Sequence, residues 1–250
     1  MDLQIKDKTA LVTGASTGIG RAIAKLLAAE GVRLAIAARR RALLEELAEE
    51  IAAAGGHKPV VIEQDALAED APDRVASAAL AGLGSVQILI NNAGGSRSFK
   101  LDTTEEQWAE ALTLNFHRPR QLAHRLLDQM MAGKWGRIVN ITGKSEPEGI
   151  NGAFCAKAGI HSWAKGLSRE VGKHGITINC IAPGRIMSEQ IERNYSPEYR
   201  QWQSEHEIPV GRYGEPEELG NLAVFLTSPL AAYITGTVIA VDGGLRRYQF

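Results

Sequence analysis

The residues of this chain that first point to chemistry are three glycines spaced to suit a phosphate and three consecutive arginines a little further on. Gly14-Ala15-Ser16-Thr17-Gly18-Ile19-Gly20 has the spacing GxxxGxG and directly follows the apolar run Thr9 to Thr13. In such a turn Gly14 permits the tight bend, Gly18 lets a pyrophosphate approach the backbone, and Gly20 lets the next helix pack close to the sheet, with the helix N–H groups facing the anion. Arg39-Arg40-Arg41 then opens a second helix. Cations there oppose the helix dipole at about 0.3–1 kcal/mol each, and a phosphate partner removes that penalty.

The elements that must position these groups follow from hydrophobic periodicity. Strand-forming runs lie at 9–13, 33–38, 60–62, 88–90, 138–141, 176–181 and 238–241. Between them, helical spacing begins at Ile19 and Leu43, and helices are expected near 73–81, from about Thr104, and near 156–173. Strands separated by helices, with almost no hairpin signals, specify an α/β fold: a doubly wound parallel sheet with helices on both faces. At 250 residues, with 44% hydrophobic and 23% charged, the chain is expected to be a single domain, 1–250, with enough apolar surface for a full core.

One stretch breaks the rhythm. Residues 186–213 are polar and aromatic, follow a strand end, and are long enough to fold over a site as a lid; the competing reading is an ordinary solvated helical excursion. In the helix from Thr104, Pro119 has no N–H for the Asn115 carbonyl four residues back, and its ring crowds that carbonyl, so a kink is expected there.

Composition excludes several function classes. A formal charge of -1 gives no global field toward nucleic acid or an acidic membrane, and the six histidines show no paired-ligand spacing, so no metal site is expected. Cys155 and Cys180 read as reduced, packed thiols. The polar opening Met1 to Lys8 is unlike a signal peptide and no apolar run approaches a membrane span, which leads to a cytoplasmic expectation.

Thr13 to Gly20, Asn91-Asn92-Ala93-Gly94, Asn115, Pro183-Gly184 and Val241-Asp242-Gly243-Gly244 occur in an order that resembles the short-chain dehydrogenase/reductase family over nearly the whole chain. The resemblance implies a Rossmann fold with a seven-stranded sheet, a nicotinamide cofactor, a small-molecule substrate and a homotetramer or homodimer. It places Gly14, Ser16, Thr17, Gly18, Ile19, Gly20, Asn92, Ala93, Gly94, Pro183, Gly184 and Ile186 along the cofactor. Asp65 matches the family's adenine contact, and its plainer reading is a cap or turn residue. An arginine rather than an acid at the end of the second strand accommodates a 2′-phosphate, so NADP(H) is expected over NAD(H), with Arg39 the first contact and Arg40 the second.

In this family a tyrosine moves the proton as hydride moves, a lysine four residues later lowers its pKa and holds the nicotinamide ribose, a serine orients the carbonyl, and an asparagine completes a water relay. Lys157 and Asn115 match the lysine and asparagine. Ala153 stands four residues before Lys157, Gly143 stands where the serine belongs, and no tyrosine occurs before Tyr195. The kink at Pro119 would leave the Asn115 carbonyl free for the relay water. Substitute acids are Lys157 itself, Thr142 through water, His161 in the row 153, 157, 161, and Glu146 or Glu148 in the serine loop; Ser145 is also near.

The expectation is an NADP(H)-dependent oxidoreductase of a carbonyl or alcohol with an atypical proton donor. The alternatives are a non-redox lyase or isomerase, or a catalytically silent nucleotide-binding homologue, in the same cleft. The aromatic tail Tyr248 to Phe250 is expected to bury against a neighbouring subunit.

Overall fold

Seven strands form one sheet, parallel throughout, in a computed structural model that describes residues 1–97, 99–143 and 149–247. In chain order the elements are β1 (Thr9–Thr13), α1 (Gly18–Ala29), β2 (Arg33–Ala38), α2 (Arg41–Ala53), β3 (Val60–Glu63), α3 (Ala71–Leu83), β4 (Ile88–Asn91) and α4 (Glu105–Leu112). They continue with α5 (Arg118–Ala132), β5 (Gly136–Ile141), α6 (Gly152–Val171), β6 (Ile176–Pro183), α7 (Glu189–Asn194), α8 (Pro197–His206), α9 (Pro216–Thr227) and β7 (Val238–Val241). The strand order β3-β2-β1-β4-β5-β6-β7 reverses direction between β1 and β4, which opens a crevice beyond the carboxyl ends of those strands. This is the single Rossmann-type domain expected.

Strand side chains alternate between two cores. Ala10, Val12, Ile36 and Ile90 face α1, α2 and α9, whereas Leu11, Ala35, Leu89 and Ile178 face α3, α5 and α6. Both faces are covered, so the strands read as continuous apolar runs rather than as alternations.

Three elements differ from the sequence expectation. The helix from Thr104 is divided: Glu105–Leu112 is α-helical, Thr113–His117 is a π-helical turn in which the Arg118 N–H reaches back to the Thr113 carbonyl, and α5 follows. Pro119 is the cause, because a residue without an N–H leaves the ladder one bond short and an extra residue accommodates it. α6 begins at Gly152, earlier than the expected 156, because the Asn151 carboxamide accepts from the Ala153 and Phe154 N–H groups and caps it there. α9 was not anticipated, although Pro216 in its first turn and the reciprocal Glu215–Glu218 cap are start signals.

Cys180 is buried, and burial pushes its thiol up to about 12; Cys155, expected to be packed, lies exposed on α6. Among the described residues no helix is long and apolar enough to cross a membrane, and no group of three His, Cys, Asp or Glu side chains could hold a metal ion. Ser145, Glu146, Glu148 and the tail Tyr248 to Phe250 lie outside the described residues.

Candidate active site

The glycine turn is built as a rigid seat. Gly14 sits at φ +65°, its N–H bonds the Ala37 carbonyl at 2.7 Å, and a Cβ there would lie 2.9 Å from the Ala93 Cα. A Cβ on Gly20 would strike the Gly14 carbonyl, so neither position accepts a side chain. Thr13 ties the seat to β4: its hydroxyl accepts from the Asn92 N–H at 3.0 Å and the Ala93 N–H at 3.1 Å. The Asn92 amide donates to the Thr13 and Gly14 carbonyls at 3.2 and 3.0 Å, and so holds the turn's shape.

The first turn of α1 carries no acidic residue, and its cap, Thr17, makes no side-chain capping bond. Its N–H groups are therefore available to an anion, with Ser16 and Ile19 flanking them. Of the three arginines, Arg41 pairs with Glu45 at 2.7 Å and lies 3.9 Å from Glu63, and Arg40 pairs with Glu189 at 2.9 Å. Arg39, in the bend after β2, has no hydrogen-bond or ion-pair partner among the described residues. The dipole penalty is thus relieved at two of the three cations and left at one. Asp65 accepts the Leu67 N–H at 3.0 Å, the turn role, with its carboxylate exposed.

Across the crevice, α6 and the end of β5 assemble a second cluster. Lys157 donates from Nζ to the Thr142 carbonyl at 2.8 Å. The Thr142 hydroxyl donates to the Ile181 carbonyl at 3.1 Å, which leaves His161 Nε2, 2.8 Å away, as the donor to it. The ammonium is enclosed by protein even though part of the lysine stem is open, and this desolvation pulls its pKa down to about 8. Burial, then Arg246 and Lys157, push His161 below the usual histidine value. A Cβ on Gly143 would lie 3.3 Å from Lys157 Cδ and 4.0 Å from Nζ, so a side chain at 143 would adjoin the ammonium.

Asn115 is buried in the π-helical turn. Its amide donates to the Gly95 and Ala111 carbonyls, both at 2.9 Å, and its Oδ1 accepts the Gly95 N–H at 3.1 Å. The side chain is therefore engaged in fixing the loop after β4, and Pro119 cannot supply the fourth-residue N–H to the backbone carbonyl. Asn115 and the Ala153 methyl line a cavity of about 370 Å³ together with Gly95, Leu114 and Phe99. Sequence reasoning missed Asn151, whose amide also reaches the Ser96 hydroxyl at 2.9 Å and so ties the start of α6 to the loop after β4. The available signal was a capping residue type ahead of a helical run.

The 186–213 excursion is closed at its base. The Ile186–Gly214 bridge and the Met187 N–H to Gly214 carbonyl bond of 2.9 Å pin it, and Ser188 caps α7. Ser188 stands over the glycine turn, its Cβ 3.7 Å from where a Cβ on Gly18 would be. Tyr195, Tyr199, Trp202 and His206 stack in sequence along one side. Gly184 fits against β7, where a Cβ would lie 2.5 Å from the Asp242 Cα, and Pro183 ends β6 beside it.

The profile of a family described as enoyl-(acyl carrier protein) reductase matches residues 14–246. The chain is 34% identical to the 3-oxoacyl-[acyl-carrier-protein] reductase of Aquifex aeolicus, with 98% of this chain and 100% of that protein covered. It is also 34% identical to the corresponding Escherichia coli reductase, with 97% and 99% covered. Among solved structures, L-sorbose reductase from Gluconobacter frateurii, complexed with NADPH and L-sorbose, superposes with a TM-score of 0.92 at 30% identity, covering 99% of this chain and 100% of that one. A 7α-hydroxysteroid dehydrogenase complexed with NADH and 7-oxo glycochenodeoxycholic acid gives 0.92 at 29% identity, covering 97% and 96%.

Proposed function

Because the chain belongs to the short-chain dehydrogenase/reductase family of oxidoreductases, we propose that it reduces a carbonyl with NADPH and that Lys157 supplies the proton. A nicotinamide cofactor held in the crevice would supply the hydride for the carbonyl carbon. The residues around the crevice fit such a group: a side-chain-free seat at Gly14 and Gly20, open N–H donors at the start of α1, and a cation at Arg39 with no anion of its own among the described residues. One of the two neighbours described above holds NADPH and the other NADH, so fold likeness leaves the choice open; the unpaired arginine at the end of β2 favours the phosphorylated cofactor.

The observation that carries the proton assignment is the Lys157 ammonium, held by one bond to a backbone carbonyl and brought to about 8 by burial. An ordinary lysine is a poor acid at neutral pH, whereas one near 8 is both charged and able to give up a proton. One N–H is fixed by Thr142, which leaves two for a substrate oxygen or a ribose hydroxyl. As the alkoxide forms, Lys157 donates to it and becomes neutral, and water held at the Asn115 carbonyl returns the proton. Thr142 and His161 keep the β5 end in place, and residues 186–213 act as a lid over the cleft.

Turnover should be tested with 4-deuterated NADPH against a 3-oxoacyl thioester, a ketose and a steroid ketone, the carbonyl classes named for the relatives. Deuterium in an alcohol product is the expected result. Bound NADPH with no label transferred to any of the three would overturn the redox assignment.

The pH dependence follows from the sign of the lysine shift. Lys157 is charged below about pH 8, so kcat/KM for reduction is expected to be level at lower pH and to fall above it, by about tenfold per unit. Alcohol oxidation needs the neutral amine and should rise through the same region. His161, already neutral near pH 7, adds no limb above it. A reduction profile that keeps its plateau to pH 10 would assign the acid elsewhere.

A further inference from the structure

Arg40 stands just ahead of α2, makes no side-chain capping bond there, and is bonded on two sides to segments that are remote in sequence. Its Nη2 donates to the Thr17 hydroxyl at 3.0 Å, in the glycine turn. Its guanidinium also grips Glu189, the first residue of α7, through Nη1 to Oε1 at 3.2 Å and Nη2 to Oε2 at 2.9 Å. This is the two-pronged geometry in which arginine takes either a carboxylate or a phosphate. The pair joins the two walls of the crevice, because α7 starts beside Ser188 over Gly18 while Arg40 follows the end of β2.

Both partners are about half exposed, with side-chain exposures of 48% and 55%, so water screens the pair and a stronger anion can displace the carboxylate. A phosphate offers more charge and more acceptor oxygens to the same fork. Among the described residues Arg39 next door has no anion, so the two arginines together present one occupied and one vacant cationic position.

We propose that Glu189 sets the choice between phosphorylated and unphosphorylated dinucleotide by occupying the guanidinium of Arg40 in place of a 2′-phosphate. This rests on the NADP(H) reading of the crevice. A cofactor with a 2′-phosphate takes Arg40 from Glu189 and in doing so releases α7 from β2. A cofactor with a bare ribose has no anion to exchange, and the clasp stays shut. Glu189 thus weakens binding of the phosphorylated cofactor while making the lid responsive to it.

The test is a set of dissociation constants for NADPH and NADH, read by nicotinamide fluorescence, on the full chain and on Glu189→Gln, Arg40→Ala and the double variant. Glu189→Gln is expected to tighten NADPH by about two- to fivefold, the range of an exposed ion pair, and to leave NADH unchanged. In the Arg40→Ala background the same change should do nothing. Equal tightening of both cofactors would mean that Glu189 merely adds negative charge near a polyanion, and persistence of the effect without Arg40 would overturn the exchange directly. Equal affinity of the unaltered chain for the two cofactors would overturn the NADP(H) reading instead, and the Glu189→Gln effect on NADPH would still decide whether the carboxylate competes with a 2′-phosphate.

Discussion

Replacing Lys157 with methionine is expected to lower kcat for carbonyl reduction by about 10²–10⁴-fold, the usual worth of a positioned acid. Methionine keeps the unbranched length of the stem and removes the ammonium, so the α6 packing survives. The bond to the Thr142 carbonyl is lost, and a buried cation is lost with it. NADPH affinity should fall far less than kcat, because the glycine seat and the arginines are untouched. The fall in reduction rate above pH 8 should also disappear. Single-turnover rates with labelled NADPH across a pH series check all three outcomes; a kcat within threefold of the unaltered chain would remove Lys157 from the proton path.

The second large effect is a gain. Introducing a phenol and a hydroxyl together, by Ala153→Tyr with Gly143→Ser, is expected to raise kcat by at least about tenfold, since a second positioned acid then stands ahead of Lys157. Space exists for both changes. The Ala153 methyl lines the cavity of about 370 Å³, and among the described residues a Cβ at 143 meets the Lys157 side chain alone, 3.3 Å from Cδ and 4.0 Å from Nζ. Overpacking is a known risk at about 1–3 kcal/mol, so thermal midpoints should accompany the rates. A folded double variant that binds NADPH and shows no gain would mean that substrate does not approach the place where the phenol stands.

The sheet was readable because buried parallel strands are runs of Val, Ile, Leu and Ala, and the runs of β1, β4 and β6 stop at Gly14, Asn91 and Pro183, which mark the crevice. The interruption near Asn115 was readable as well, since Pro119 removes a definite N–H from a definite carbonyl. What escaped reading has no period. Arg40 and Glu189 lie 149 residues apart and meet only because α7 folds back over the glycine turn. The early start of α6 depends on one asparagine whose type is common in any loop. Asn92 was expected at the cofactor; that its amide also holds the Thr13 and Gly14 carbonyls depends on β1 and β4 being neighbours, which no local pattern shows. The sequence ranks Arg39 ahead of Arg40 for a 2′-phosphate, and the ion pairs that distinguish the three arginines appear only in space.

The bond that fixes the Lys157 ammonium ends on a main-chain oxygen. A main-chain acceptor is not encoded by any particular codon: whatever amino acid stands at 142, the end of β5 still offers its carbonyl. The Lys157 ammonium is therefore anchored to something that substitution cannot delete, whereas a phenol or a hydroxyl in the same cleft is one nucleotide change from vanishing. With Ala at 153 and Gly at 143, this chain still holds an oriented nitrogen in the crevice, and its anchor is indifferent to which side chains stand at those two positions.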